Sequence, residues 1–196
     1  MKFLNKLKWT LGILMIFAVI ISTNLIDRNN FIQVRDSVTT IYEDRLMAND
    51  LIFEMSRSVQ EKEMAVALMD SVFFIERNEK VNSEIQAIIN RFEQTKLTEE
   101  ESKVFDNLKN TIEGLKRSEK TLIKSRFKIK ADLLKGLSNT KENLHDLSKI
   151  QLIEGKRQMF ISNKAINTVE LFTNIEIYLL VVLAILIQIV VMYKPK

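Results

Sequence analysis

Residues 31–73 read FIQVRDSVTTIYEDRLMANDLIFEMSRSVQEKEMAVALMDSVF, and this stretch decides the fold. Counted in alternating steps of 3 and 4, it puts Phe31, Val34, Val38, Ile41, Arg45, Ala48, Ile52, Met55, Val59, Lys62, Val66, Met69 and Phe73 on one side. All but Arg45 and Lys62 are apolar, and the alternation never slips. A helix with such a stripe buries one seam against partner helices. Further along the chain the pattern returns. Val81, Ile85, Ile88 and Phe92 form a short stripe, and Phe105, Leu108, Ile112, Leu115, Glu119, Leu122, Arg126, Ile129 and Leu133 form a longer one. A rougher track of Leu144, Leu147, Ile161, Ala165 and Phe172 follows, interrupted by Gln151, Glu154 and Gln158. One proline and four glycines leave almost no punctuation for strands. The expected architecture is therefore all-α, an antiparallel four-helix bundle.

One helix boundary is sharp. Thr98-Glu99-Glu100-Glu101 is a capping box, in which the Thr98 hydroxyl accepts from the Glu101 amide and the Glu101 carboxylate reaches back to the Thr98 amide. Matching helix lengths at about 1.5 Å per residue place the other turns near 69–71 and 130–132, with Asp70, Ser71 and Asp132 as N-caps.

Outside the bundle lie two apolar runs. Residues 9–26 read WTLGILMIFAVIISTNLI and residues 177–193 read IYLLVVLAILIQIVVMY, neither holding a charge. A hydrocarbon core of about 30 Å needs roughly 17 to 25 such residues in a helix. The chain thus divides into a cytoplasmic tail at 1–8, a transmembrane helix at 9–26, an extracytoplasmic bundle at 27–174, a second transmembrane helix at 175–193 and a tail at 194–196. Lys2, Lys6 and Lys8 before the first run, and Lys194 and Lys196 after the second, keep both termini on the cytoplasmic side of the cell (inner) membrane. No small-x-small cleavage site follows the first run, so it reads as an uncleaved anchor rather than a signal peptide. Below the turn between the second and third helices only the first and fourth continue. Two helices cannot bury their seams alone, which predicts a homodimer.

Composition excludes several functions. There are 29 basic and 25 acidic residues, a net charge of +4, and they read as interleaved, so no nucleic-acid partner is expected. No cysteine is present, and His145 is the single histidine. Neither a metal site, a cofactor site nor a catalytic set is read from the sequence, and the chain is not expected to be an enzyme.

The candidate site residues are polar ones inside the apolar stripes. A buried charge without a partner costs several kcal/mol. Level matching at constant rise puts Arg45 with Gln151, Glu154 and Gln158, and Lys62 with Glu119. The favoured reading is two polar layers that fix register. The alternative is that Arg45 binds an anionic ligand such as a carboxylate.

The layout of anchor, bundle and anchor, with Ile41-Tyr42-Glu43-Asp44-Arg45-Leu46 in the first helix and Leu97-Thr98-Glu99-Glu100-Glu101 opening the third, resembles the four-helix-bundle sensory domain of methyl-accepting chemotaxis receptors. The resemblance covers roughly residues 3–193. It implies an external bundle that detects small molecules or proteins and membrane helices that pass the signal inward. No HAMP linker and no cytoplasmic signalling hairpin are read in the 196 residues, so the signal would pass through a receptor or kinase partner. The competing reading is a structural or scaffolding spacer, or an accessory subunit of a full-length receptor, with no small ligand.

Overall fold

The computed structural model describes residues 2–128 and 130–192, with side chains described from Gly12 to Leu186 except those of Ile13, Met15 and Ile129. The tail at 194–196, Ile129 of the third stripe and the side chains of the lysines before the first apolar run lie outside the described residues. The described residues are helical throughout apart from short turns, with no strand among them. The helices are α1 (Lys2–Thr40), α2 (Met47–Leu68), α3 (Asn78–Phe92), α4 (Glu99–Lys124) and α5 (Ala131–Met192). A π-helical turn, Ile41–Leu46, joins α1 to α2, and another, Phe73–Arg77, leads into α3.

Two compact units result. Thr39–Arg157 is the four-helix bundle, and Met1–Val38 with Gln158–Lys196 is the other. In the bundle the stripes become the core. Ala48, Ile52, Met55, Val59 and Val66 of α2 are buried, as are Val81, Ile85, Ile88 and Phe92 of α3, Phe105, Leu108, Ile112, Leu115 and Leu122 of α4, and Leu144 and Leu147 of α5. Each of these larger than alanine contributes roughly 1.5–3 kcal/mol when fully buried. Phe92 stacks on Phe105 at 4.7 Å between α3 and α4.

The first stripe does not keep one frame. It holds from Arg45 upward, but Phe31 is 72% and Val38 54% exposed, and Ser37 is buried in their place. The π-helical turn at Ile41–Leu46 explains the slip. A π turn holds one residue more than an α turn, so the heptad count below it is displaced by one. At the other end Met69 leaves the seam because it caps α2 in the left-handed conformation, φ 55°. Its amide donates to Val66 O, and the Asp70 amide donates to Ala65 O at 2.9 Å, closing the last turn. Asp70 Oδ1 then accepts from the Phe73 amide at 3.0 Å.

The third stripe is likewise shorter than its sequence pattern. α4 ends at Lys124, and the chain turns at 125–127, earlier than the expected 130–132, with α5 beginning at Ala131. Arg126 is exposed, with φ 53°, and Phe127 follows at φ 65°. A non-glycine residue in this region costs about 1–2 kcal/mol. The cost is offset by Phe127, whose ring meets Phe74 edge-on at 5.7 Å, while Phe74 meets Phe73 at 5.2 Å. The widened π turn lets these two consecutive phenylalanines both face inward. The turn after α2 and the turn after α4 are thereby held together at one end of the bundle.

In the other unit the buried residues among those described are small or polar: Thr23 and Ser37 on α1, Ser162 and Ala165 on α5. Asp27 Oδ1 and Asn30 Nδ2 are buried with no hydrogen-bond partner among the described residues. Large apolar side chains face outward, among them Leu25, Phe31, Val38, Phe160 and Leu171. Within α5 an 18-residue window of mean hydropathy 2.1 is long and apolar enough to cross a membrane by length and composition.

Candidate functional site

The bundle core contains two sets of charged side chains, and each is closed on itself. In the first, Arg45 projects from the π turn and is 7% exposed. Its Nη1 donates to Glu101 Oε1 at 2.7 Å and to Gln151 Oε1 at 3.0 Å, and its Nη2 donates to the Lys96 carbonyl at 3.1 Å. Gln151 Nε2 also donates to Glu101 Oε1. The other carboxylate oxygen of Glu101 accepts from the Thr98 amide at 2.6 Å, while the Glu101 amide donates to Thr98 Oγ1 at 3.2 Å. Glu101 is therefore both half of the capping box and the counter-ion of Arg45, and it is fully buried. Arg45 Nε has no partner among the described residues.

Glu101 was not among the candidates read from sequence, because the cap alone accounted for it. Its spacing was the available signal, since Glu101 lies four residues before Phe105 on the buried stripe of α4. Of the residues expected beside Arg45, the structure brings Gln151 there. Glu154 instead receives both Nε and Nη2 of Arg157, at 2.8 and 2.6 Å, because an i, i+3 neighbour on its own helix is within easier reach. Gln158 belongs to the other unit.

In the second set Lys62, 1% exposed, uses all three ammonium donors. They go to Glu119 Oε1 at 2.6 Å, Asn78 Oδ1 at 2.5 Å and Asn82 Oδ1 at 3.0 Å. Asn78 and Asn82 return their amide protons to Glu119 Oε2 at 2.8 and 3.0 Å. Lys62 and Glu119 are the pair expected from level matching. The two asparagines, one helical turn apart on α3, were not read: Asn78 continues the 3-and-4 register one step before Val81, where the apolar stripe was taken to begin, and Asn82 lies beside it.

On the bundle surface a groove of about 800 Å³ runs between α2 and α5. Leu46, Phe53 and Leu144 line it together with Asn49, His145 and Ser148, and the Lys141–Glu63 ion pair at 2.8 Å lies along it. Leu46 and Phe53 are 55% and 63% exposed there.

A family described as a four helix bundle sensory module for signal transduction matches residues 1–159, most of the chain. The chain belongs to this family. No curated protein and no solved structure matches it. The sensory module is of the kind found in methyl-accepting chemotaxis receptors, and its bundle is a chemoreceptor-type sensory domain.

The closed sets have a direct consequence for this sensory module. Three of the four Arg45 Nη hydrogens go to Glu101, Gln151 and the Lys96 carbonyl, so an anion that took this paired side of the guanidinium would have to displace a buried carboxylate. Both layers tie neighbouring helices together. Each joins three segments of chain at one height, and a shift along any helix would leave charges unpaired.

The second layer also makes stability depend on pH. Burial pushes the Lys62 ammonium below the usual lysine range, against the opposing pull of Glu119. The native state then binds fewer protons than the unfolded chain between the lowered value and the unfolded one, near 10.4. The cost of the buried ammonium is fully present below that window, and stability from this group rises with pH through it. Lys62→Met removes the titration. Urea midpoints of wild type and Lys62→Met, measured at neutral pH and at about pH 10, are expected to shift toward the wild type on the alkaline side.

Proposed function

We propose that this sensory module is a membrane-anchored receptor subunit whose antiparallel bundle lies outside the cytoplasm, binds a small molecule or protein, and passes the signal to partner proteins. The observation that carries the reading is α5, in which the fourth helix of the bundle and the apolar run are one uninterrupted helix. A stiff helix of this kind moves as a body, so a small shift in the bundle is delivered to the far end. The first apolar run supplies a second crossing, and both termini lie in the cytoplasm.

The subunit works as a homodimer. The exposed stripe of Tyr42, Leu46, Phe53 and Leu152 supports this, as does the outward placement of Phe31 and Val38. A second copy would cover these side chains and offer partners for Asp27 Oδ1 and Asn30 Nδ2. The groove between α2 and α5 lies along the same stripe, so the dimer interface is where a ligand would meet two subunits.

The reading of a helical spacer or accessory subunit without a ligand is favoured by one observation, the closure of both buried charge layers. A thermal-shift screen of the full chain in detergent against amino acids, organic acids and amines separates the two. A ligand that binds the native state at 100 times its Kd adds about 2.7 kcal/mol of stability. A concentration-dependent rise in Tm with at least one class supports the receptor. No rise with any class, from a protein that unfolds cooperatively, supports the spacer.

A further inference from the structure

Away from the proposed dimer stripe, a second groove of about 450 Å³ lies between α3 and α4. Its floor is Asn78, Asn82 and Glu119, whose polar groups are turned inward onto Lys62. Its upper wall is apolar: Phe74 is buried, but Ile75 and Ile123 are 75% and 41% exposed. Lys116 and Lys120 line it beside them.

The charge around this groove is one-sided. Seven of the fifteen residues at 116–130 are basic and one, Glu119, is acidic. That segment is net +6 while the whole chain is +4, so the rest of the chain is net −2. Glu119 is committed to Lys62. Elsewhere on the bundle paired and unpaired bases alternate: Arg77 meets Glu61, Arg91 Glu54, Lys109 Glu93 and Lys141 Glu63, while Arg57, Lys80, Lys135 and Lys156 make no ion pair among the described residues and stand singly rather than in a run. Among the described residues none of Lys116, Lys120, Lys124, Arg126 or Lys128 makes an ion pair. Of the groove's lining residues only Glu79 is an exposed acid. The backbone invests in the same place, since the strained turn at Arg126 and Phe127 seats the Phe127 ring against Phe74, which forms the groove wall.

Exposed branched aliphatic side chains beside ammonium groups without a counter-ion, Lys116 donating only to the neutral Gln86 Oε1 at 3.3 Å, suit a molecule with an apolar body and an anionic head. A flexible polyanion would leave Ile75 and Ile123 wet, and a purely apolar ligand would leave the lysines unused. We propose that the groove between α3 and α4 binds a long-chain carboxylate, its head on Lys116 and Lys120 and its tail along Ile75 and Ile123. This names a ligand class for the sensory reading and rests on that reading for its biological meaning, but the binding itself requires neither the dimer nor the anchors.

The test uses the full chain in phosphatidylcholine nanodiscs and a diazirine-bearing dodecanoate, with the matching alcohol as control. After illumination, labelled peptides are mapped by mass spectrometry. The expected result is saturable labelling of the peptides carrying Ile75 and Ile123, competed by unlabelled dodecanoate and weak with the alcohol. In the Lys116→Glu/Lys120→Glu variant, checked for unchanged helicity, the labelling is expected to fall about tenfold as two attractions become repulsions. Labelling confined to residues 9–26 and 177–193, equal labelling by the alcohol, or an undiminished signal in the double variant overturns the proposal. Because the readout is local, a negative result here leaves the thermal-shift outcome for other ligands unaffected.

Discussion

Replacing Glu101 with Ala is expected to destabilise the bundle by about 3–5 kcal/mol, the cost of leaving a buried charge without its counter-ion. Arg45 is 7% exposed, and this carboxylate accepts from it, from Gln151 and from the Thr98 amide. Removing the side chain strands a guanidinium and breaks the carboxylate half of the capping box, while the Thr98 hydroxyl still accepts from the backbone amide at 101. Thr98→Ala removes the other half of the box and gives the scale of a cap bond, since loss of an N-cap hydroxyl costs about 1 kcal/mol. Denaturant unfolding of the two variants checks the division. If Glu101→Ala costs no more than Thr98→Ala, the Arg45–Glu101 pair contributes nothing beyond the cap.

The second large effect is at Lys62. Glu119→Leu leaves the buried ammonium facing two asparagine carbonyls and no carboxylate, which is also expected to cost about 3–5 kcal/mol. Lys62→Met in the same chain removes the stranded charge. The double variant is expected to recover most of the loss, because apolar side chains of similar volume replace buried ion pairs at little cost. Recovery is incomplete: Asn78 and Asn82 each lose a donor and an acceptor, at about 1 kcal/mol for each bond not remade. A double-mutant cycle by urea unfolding measures the coupling. A double variant as unstable as Glu119→Leu alone would contradict the assignment of Lys62 to that carboxylate.

The sequence made the bundle legible because its period is 3.5 and few residues break it. Height along the bundle was readable too, since rise per residue is nearly constant, and this is how Lys62 and Glu119 could be matched across 57 positions of chain. Local backbone departures were not readable. Nothing in Ile41-Tyr42-Glu43-Asp44-Arg45-Leu46 announces a π turn, so the unbroken count through Phe31 and Val38 misassigned both to the buried seam. The pattern through Arg126 ran past the true end of α4 for a related reason, because the chain turns there without a glycine or proline.

The site was harder to read than the fold. Glu101 satisfied a capping motif so completely that its second role was hidden. Asn78 and Asn82 carry no periodic apolar signal. Seven of the 29 basic residues, which in overall composition looked interleaved, fall at 116–130 with a single acid, and only the structure sets that segment, with its own exposed Ile123, beside exposed Ile75.

The membrane-anchored sensory reading is tested most directly by topology, and the absence of native cysteine makes the measurement clean. Single cysteines replace exposed Glu142 in the bundle and Lys2 near the N-terminus, and intact cells are treated with a membrane-impermeant maleimide. The account predicts that Glu142→Cys is labelled in intact cells and Lys2→Cys only after lysis. Labelling of Lys2→Cys in intact cells, with Glu142→Cys protected until lysis, would place the bundle in the cytoplasm and contradict it.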